Sequence, residues 1–344
     1  MKVLLKIFIP LCILSFIAFG ISIPILGTNE AWNGAAGQER TIEFTEEITG
    51  IKVDIGAYDC TVKPCSGDTA KISISGDNSG RIKAQMSGGE LEVYSEGFGF
   101  GWLRFNLFSW FGSTKVTVEV PEKEYETLKV YTGAGTTEIK NIRAADVDLS
   151  VGAGTLKYTQ PDYTVSDLDI DVSAGKLIAK NAKAKEYSID VSAGAAEVYG
   201  LTGSGSIDVS AGSAKAYLAE LNGSCDIDVS AGSASLMLPD NASAKIYCDK
   251  SAGSINVNAC GVNRDANDDE IITLNGGEYS ITADVSAGSI KISNADAGQA
   301  EQADATTAVT TSTHVGDVAE HVGDVVESAV AQAMDDVSDA LEVL

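Results

Sequence analysis

The stretch Asp-Ile-Asp-Val-Ser-Ala-Gly at residues 169–175 recurs, with at most one change, at residues 188–194, 206–212 and 226–232. Weaker copies end at Gly135, Gly154, Gly253 and Gly288. Successive glycines lie 18–21 residues apart, except for a final gap of 35 residues that contains an acidic insertion at 263–270. A spacing this regular indicates a tandem-repeat architecture.

Each copy alternates apolar and polar residues before its glycine. Period-two alternation places Ile and Val on one face of a β-strand and Asp and Ser on the other. A second alternating stretch follows the glycine, as at residues 215–218. We therefore expect each repeat to form a strand, a tight Ala-Gly turn, a second strand and a polar turn. In this interpretation the glycine supplies the backbone freedom that the turn needs.

One repeat of this kind cannot bury its apolar face, but stacked copies can, because each strand pairs with its equivalent in the next repeat. A length of about 20 residues suits one rung of a β-helix, and adjacent rungs would lie about 4.8 Å apart. The predicted fold class is all-β, a β-solenoid or β-helix. A β-sandwich is the alternative, although it predicts no fixed period.

Composition divides the chain into five segments. Residues 1–27 are predicted to be a signal or membrane anchor, and 28–40 a linker. Residues 41–294 form the solenoid, with 41–131 as degenerate early rungs and 132–294 as the repeats. Residues 295–313 are a second linker. The tail at 314–344 repeats apolar residues at the helical period, and the chain from residue 295 onward has eleven acids and no Lys or Arg. It is predicted to form an acidic amphipathic helix, or else a solubilising tail.

The N-terminus has the pattern of a transmembrane helix. Lys2 and Lys6 precede an apolar run that reaches Leu26. That run is about 20 residues long, enough to cross a bilayer. Cleavage after a small-residue site near Gly20 would instead give a secreted protein. Because the lysines come first, the positive-inside rule places the body outside the cytoplasm, attached to the cell membrane by a single span.

A net charge of −25 excludes nucleic acid as a partner, since a polyanion would be repelled. The order of strands, a Val-Glu-Val-Pro strand end at 118–121 and tandem repeats resembles the bacterial "putative adhesin" family, a domain family of unknown function with a β-strand-repeat body. The resemblance covers about residues 41–294 and implies a β-solenoid outside the cytoplasm. Some members of the family resemble proteins that accompany envelope-stress regulators. The family offers no catalytic motif.

The most regular polar feature is an aspartate four residues before each turn glycine. Stacking would place these side chains on one outer face. Clustered carboxylates suggest a calcium ladder, whereas the competing interpretation, which we favour, is a solvated acidic face. The six residues are Asp171, Asp190, Asp208, Asp228, Asp249 and Asp284.

An aromatic stretch at residues 97–112 interrupts two strands. It is predicted either to cap the open end of the solenoid or to contact a membrane or partner protein. Its aromatic residues are Phe98, Phe100, Trp102, Phe105, Phe108, Trp110 and Phe111.

Six cysteines are too few for a disulfide framework. Cys60 and Cys65 are close enough in sequence to clip a hairpin, and Cys225, Cys248 and Cys260 are interpreted as small buried apolar residues. Both histidines lie in the tail, and no nucleophile, phosphate-loop or zinc motif is present in the sequence. We therefore predict that the chain is not an enzyme and needs no cofactor, calcium excepted.

Three functions follow from these features. The first is an adhesin or scaffold module that binds a cell-envelope protein or glycan. The second is an envelope-stress sensor acting through a membrane partner, and the third, least supported, is a carbohydrate-active β-helix enzyme. Deletion of residues 97–112 separates the first two, because only the sensor should lose its activity.

Overall fold

The computed structural model of the chain describes residues 39–77, 80–96 and 114–295. The predicted anchor, the aromatic stretch and the acidic tail lie outside these residues. Within the described ranges, no helix has the length and hydropathy needed to cross a membrane. The described part is all-β and contains 25 strands in two sheets, with 13 strands in sheet A and 12 in sheet B.

In chain order the first strands are β1 (Arg40–Phe44), β2 (Gly50–Ile55), β3 (Asp59–Cys65), β4 (Ala70–Ser75), β5 (Ile82–Ser87), β6 (Glu90–Ser95), β7 (Lys115–Pro121), β8 (Glu124–Thr132), β9 (Thr136–Lys140), β10 (Arg143–Val151), β11 (Thr155–Thr159), β12 (Val165–Val172) and β13 (Lys176–Lys180). The remainder are β14 (Ala184–Val191), β15 (Ala195–Leu201), β16 (Ser204–Val209), β17 (Ser213–Leu218), β18 (Cys225–Val229), β19 (Ser233–Leu238), β20 (Ala244–Lys250), β21 (Ser254–Ala259), β22 (Val262–Asp265), β23 (Glu270–Leu274), β24 (Tyr279–Val285) and β25 (Ser289–Asn294).

The repeat unit is a rung of two strands, one in each sheet. The strand before the turn glycine lies in sheet B and the strand after it lies in sheet A. Only three residues, Ser-Ala-Gly or in the first two copies Gly-Ala-Gly, connect the two sheets at each of these corners. Equivalent strands of neighbouring rungs pair in parallel and in register, for example Ile189 with Ile207 and Ala196 with Ala214. The all-β solenoid prediction is confirmed in these long, mostly parallel sheets.

The core lies between the two sheets and follows from the alternation in the sequence. In β14, Ile189 and Val191 face inward, and in β15, Ala196 and Val198 face them; all four are at most 1% exposed. The intervening residues face solvent. The same pattern repeats along the stack, so the apolar column of one rung continues into the next.

The corner glycines are held in place by packing between rungs, not by an unusual backbone. None of the eight corner glycines in the described chain has φ in the left-handed region, so the expectation that they supply backbone freedom is wrong. A Cβ on Gly212 would overlap the carbonyl oxygen of Gly194 and lie 2.7 Å from Cγ1 of Val191. Glycine is required because the preceding rung occupies the space of a side chain.

The stacking order departs from chain order at both ends. Sheet A runs β1-β4-β7-β3-β9-β11-β13-β15-β17-β19-β25-β21-β22, and sheet B runs β23-β20-β24-β18-β16-β14-β12-β10-β8-β2-β6-β5. At the C-terminal end the last rung of the chain, β24 and β25, lies between the rung of β18 and β19 and the rung of β20 and β21. The 35-residue gap therefore contains β21, the antiparallel end strands β22 and β23, and β24, with which the chain re-enters the stack one position inward.

Antiparallel strands complete both ends. At the N-terminal end, β4 and β1 extend sheet A and β5 extends sheet B. At the other end, β22 and β23 extend sheets A and B. Residues 41–131 thus contribute two parallel rungs, from β2 and β3 and from β6 and β7, together with three antiparallel strands and most of β8, the sheet B strand of the next rung.

The suggested Cys60–Cys65 clip does not fit the fold. Both residues lie on β3 with no turn between them, and both are free. Five residues of extended strand span about 16 Å, far beyond the Cα separation of about 6 Å that a disulfide needs. Cys225 and Cys248 are buried as expected, whereas Cys260 is half-buried.

Candidate functional site on the outer faces of the two sheets

The six predicted aspartates form one column on the outer face of sheet B. Asp171, Asp190, Asp208 and Asp228 are consecutive partners in the register of β12, β14, β16 and β18. Asp228 then pairs with Asp284, and Asp284 with Asp249. The column is therefore continuous, but its last two members are in the reverse of their sequence order.

Further carboxylates flank this column. Asp148 pairs with Asp169 in a second column, two residues earlier on each strand. Asp146 pairs with Asp167 in a third column, two residues earlier again. In the six neighbouring strands β10, β12, β14, β16, β18 and β24, eleven acidic residues stand against two basic ones. We call this surface the acidic face.

The acidic face raises the pKa of several of its own members. Partial burial, followed by the charge of Asp190, raises the pKa of Asp208 above its ordinary value. Partial burial and Asp249 act in the same direction on the pKa of Asp284, and partial burial and Asp167 on that of Asp169. The carboxylates thus repel one another along and across the rungs, as expected for like charges on neighbouring strands.

The arrangement is a ridge and not a cage. In the part of the chain that the structure describes, no three His, Cys, Asp or Glu side chains converge as a metal site would require. One open groove on the outer surface is lined by Asp148, Asp169, Asp171 and Asp190 together with Ser150 and Ser188. Calcium would need ligands from more than one rung and from solvent.

Beneath the acidic face, the rung of β16 has a glycine, Gly205, where its neighbours have larger side chains. Gly205 occupies a position at which both neighbouring rungs have an inward-facing side chain. The equivalent residue is Tyr187 in the rung before and Cys225 in the rung after. A Cβ there would lie 2.6 Å from the Tyr187 ring, so the ring uses the space that Gly205 leaves. The Tyr187 hydroxyl is buried and makes no hydrogen bond with the described residues. Burial raises the pKa of the Cys225 thiol to about 12.

Sheet A carries the opposite charge. In the same six rungs its strands β11, β13, β15, β17, β19 and β25 contain five lysines and a single glutamate. Lys176 pairs with Glu197 at 3.3 Å. The rings of Tyr199 and Tyr217 stack on this face with their centroids 4.4 Å apart.

Our reading of the sequence missed this second face. Its signal was present, because Tyr199 and Tyr217 both lie five residues after a corner glycine. The seven aromatic residues predicted to contact a partner or membrane lie in the 97–113 segment, outside the described residues.

Comparison of the sequence with proteins of curated function gives no match. Among solved structures, a "putative adhesin" from Bacteroides fragilis is 12% identical, covering 74% of this chain and 97% of that protein with a TM-score of 0.45. A "putative lipid binding protein" from Parabacteroides distasonis is 16% identical, covering 76% and 96% with a TM-score of 0.44. A "putative cell adhesion protein" from Clostridium sporogenes is 18% identical, covering 75% and 100% with a TM-score of 0.27.

The profile of one protein family matches residues 48–293, a range that runs from just before β2 to the last residues of β25. The match therefore includes every rung described above and both charged faces. The chain belongs to the Toastrack DUF4097 family.

Proposed function

We propose that this chain is a non-catalytic adhesin or scaffold module of the bacterial cell envelope, and that the acidic face of sheet B is its binding surface. The observation that carries the proposal is the unbroken column from Asp171 to Asp249, in which register fixes one carboxylate on each of six rungs.

The periodicity of the column determines what it can bind. Each rung is hydrogen-bonded to the rung on either side, so the carboxylates are held about 4.8 Å apart. A single exposed ion pair contributes only about 0–1 kcal/mol. A useful affinity therefore requires a partner that presents several cationic groups at once. An envelope protein with a basic segment, or a glycan bearing amino groups, has that chemistry.

Binding to isolated cell envelopes tests the proposal. The full chain, immobilised through its N-terminus, should capture solubilised components of these envelopes at low salt and release them as salt screens the ion pairs. The triple variant Asp190→Asn, Asp208→Asn, Asp228→Asn should lose most of this binding. The matched control replaces Lys157, Lys215 and Lys291 of sheet A with Gln and should retain it. Equal binding by both variants would show that the acidic face is not the binding surface.

We also propose that the body lies outside the cytoplasm, tethered by the N-terminal segment. The proposal is supported by Lys2 and Lys6 before the apolar run. Protease added to intact protoplasts should digest the body, while a cytoplasmic marker protein survives. Protection until the membrane is broken would reverse the topology. Turnover of any envelope glycan by the purified chain would contradict the non-catalytic assignment.

A further inference from the structure

The C-terminal end of sheet B exposes an apolar pair on its last two strands, β20 and β23. Among the described residues, only three large apolar or aromatic side chains are strongly exposed: Tyr131, Tyr247 and Ile271. Tyr247 is 41% exposed and Ile271 57% exposed. These two are direct cross-strand partners, because β23 pairs antiparallel with β20.

The strand that carries Ile271 is also an edge. Strand β23 is the last strand of sheet B, and no described strand pairs with its outer side. Exposed edges are usually protected by charge, by proline or by a covering element. At the opposite end of the same sheet, the edge strand β5 carries Lys83 and no strongly exposed large apolar side chain. The two ends of the sheet are therefore protected differently.

The acidic residue on this edge is already neutralised. The carboxylate of Glu270 lies 2.7 Å from Nη2 of Arg264 and accepts a hydrogen bond of 2.7 Å from the amide of Asn267. The Asn267 side chain donates a second bond to it at 3.1 Å. These contacts lower the pKa of Glu270, with the Asn267 amide as the main cause. The edge consequently presents apolar surface and backbone groups without an unpaired carboxylate on the strand itself.

We propose that β23 pairs antiparallel with β23 of a second copy of this chain, so that sheet B continues from one protomer into the other. A two-fold axis at Ile272 is the register that pairs all five residues of the strand. It places Ile271 opposite Thr273 of the other copy, and Glu270 opposite Leu274. Buried Ile272 and Leu274 stay on the core side, and no like charges face each other within the strand.

The dimer would extend the acidic face across both protomers, since Tyr247 and Ile271 lie on the same outer surface of sheet B. The binding surface of the proposed function would then be doubled. The pairing depends only on the exposed edge of β23, so a failure of envelope binding would not contradict it.

Register-specific cross-linking tests the proposal with the full chain, purified in detergent. The double variant Ile271→Cys, Thr273→Cys should form a covalent dimer under mild oxidation, with the 271–273 bond identified by peptide mapping. Each single variant should form no more covalent dimer than the wild type, whose native cysteines set the baseline. A double variant that also stays at the baseline, or single variants that cross-link equally well, would overturn the proposed register.

Sedimentation velocity provides the second readout. The variant Ile271→Lys should raise the dimer dissociation constant at least tenfold, because it places a charge in the centre of the joined edge. The variant Tyr131→Lys introduces the same charge at an exposed aromatic residue on the same sheet and should leave the dimer unchanged. A wild type that is monomeric at all concentrations, or equal effects of the two variants, would contradict the proposal.

Discussion

The amide of Ser213 donates a hydrogen bond of 3.0 Å to the carbonyl oxygen of Gly194, the corner residue of the preceding rung. The same relationship joins Ser233 to Gly212 at 3.0 Å. The ladder of hydrogen bonds between rungs therefore continues through the corners as well as the strands. This contact brings the corners so close together that a side chain on the glycine has no space.

Replacement of Gly212 by Ala should destabilise the chain by about 1–3 kcal/mol, because the added methyl group must displace the backbone of the neighbouring rung. Urea denaturation followed by circular dichroism measures the change. The control is Gly67→Ala, where the nearest atom to the new Cβ is 4.0 Å away. Similar denaturation midpoints for both variants would mean that the corners can separate without cost.

Replacement of Thr137 by Val should stabilise the chain by about 1 kcal/mol. The Thr137 hydroxyl is fully buried and makes no hydrogen bond with the described residues, and its neighbours in the core column are Cys60 and Leu156. An unsatisfied buried hydroxyl costs free energy that valine of the same shape avoids. The control is Thr136→Val on the exposed side of the same strand, which should have little effect. A loss of stability in Thr137→Val would indicate that the hydroxyl has a partner.

The acidic face should make the chain less stable as pH rises. Partial burial and neighbouring carboxylates raise the pKa of Asp208 in the folded state, so the folded chain binds more protons than the unfolded chain between the ordinary and the raised pKa. The free energy of unfolding then falls as pH increases through that window. Asp208→Asn should be more stable than the wild type at pH 7, and this advantage should shrink as the pH falls through the window.

Thermal melts of both proteins between pH 4 and pH 7 measure this difference. The exposed Asp68→Asn variant, remote from the acidic face in sequence and lying between β3 and β4, controls for a change of net charge. A stability difference for Asp208→Asn that is independent of pH, or of opposite sign, would show that repulsion in the column is negligible.

Calcium and magnesium at millimolar concentration should raise the melting temperature by similar small amounts, because the described aspartates form a ridge without a converging set of ligands. An ion bound only by the folded state would stabilise it by mass action, and magnesium would fit poorly because it prefers a tight octahedron. A calcium-specific rise of several degrees, lost when Asp190, Asp208 and Asp228 become Asn, would establish a calcium ladder.

The reversed order of the last two rungs can be tested by disulfide formation. Asp228 and Asp284 are register partners on adjacent strands, whereas Asp249 is one strand further away. Cysteines at 228 and 284 should therefore cross-link, because neighbouring strands lie about 4.8 Å apart. Cysteines at 228 and 249 should not, since they are separated by about twice that distance. Efficient cross-linking of the second pair alone would restore stacking in chain order.

The repeat motif alone specifies the rung. Period-two alternation in residues 169–172 and its copies specifies strands with one buried face, because a strand buries every second residue. The near-constant spacing of the corner glycines up to Gly253 specifies how those strands stack, since rungs of similar length bring equivalent residues into register. The aspartate column from Asp171 to Asp228 follows directly from these two facts.

Tertiary contacts determine the order of rungs at the two ends, the need for glycine at the corners and the exposed edge at β23. The repeats are nearly identical, so local sequence does not determine which neighbour a strand chooses. Asp284 pairs with both Asp228 and Asp249 because the returning chain enters the stack one position inward. The glycines are constrained by atoms of the neighbouring rung, at least 18 residues away in sequence, which no local pattern reveals. These features could not be predicted from the sequence, because the packing of the whole stack sets the pairing between distant strands.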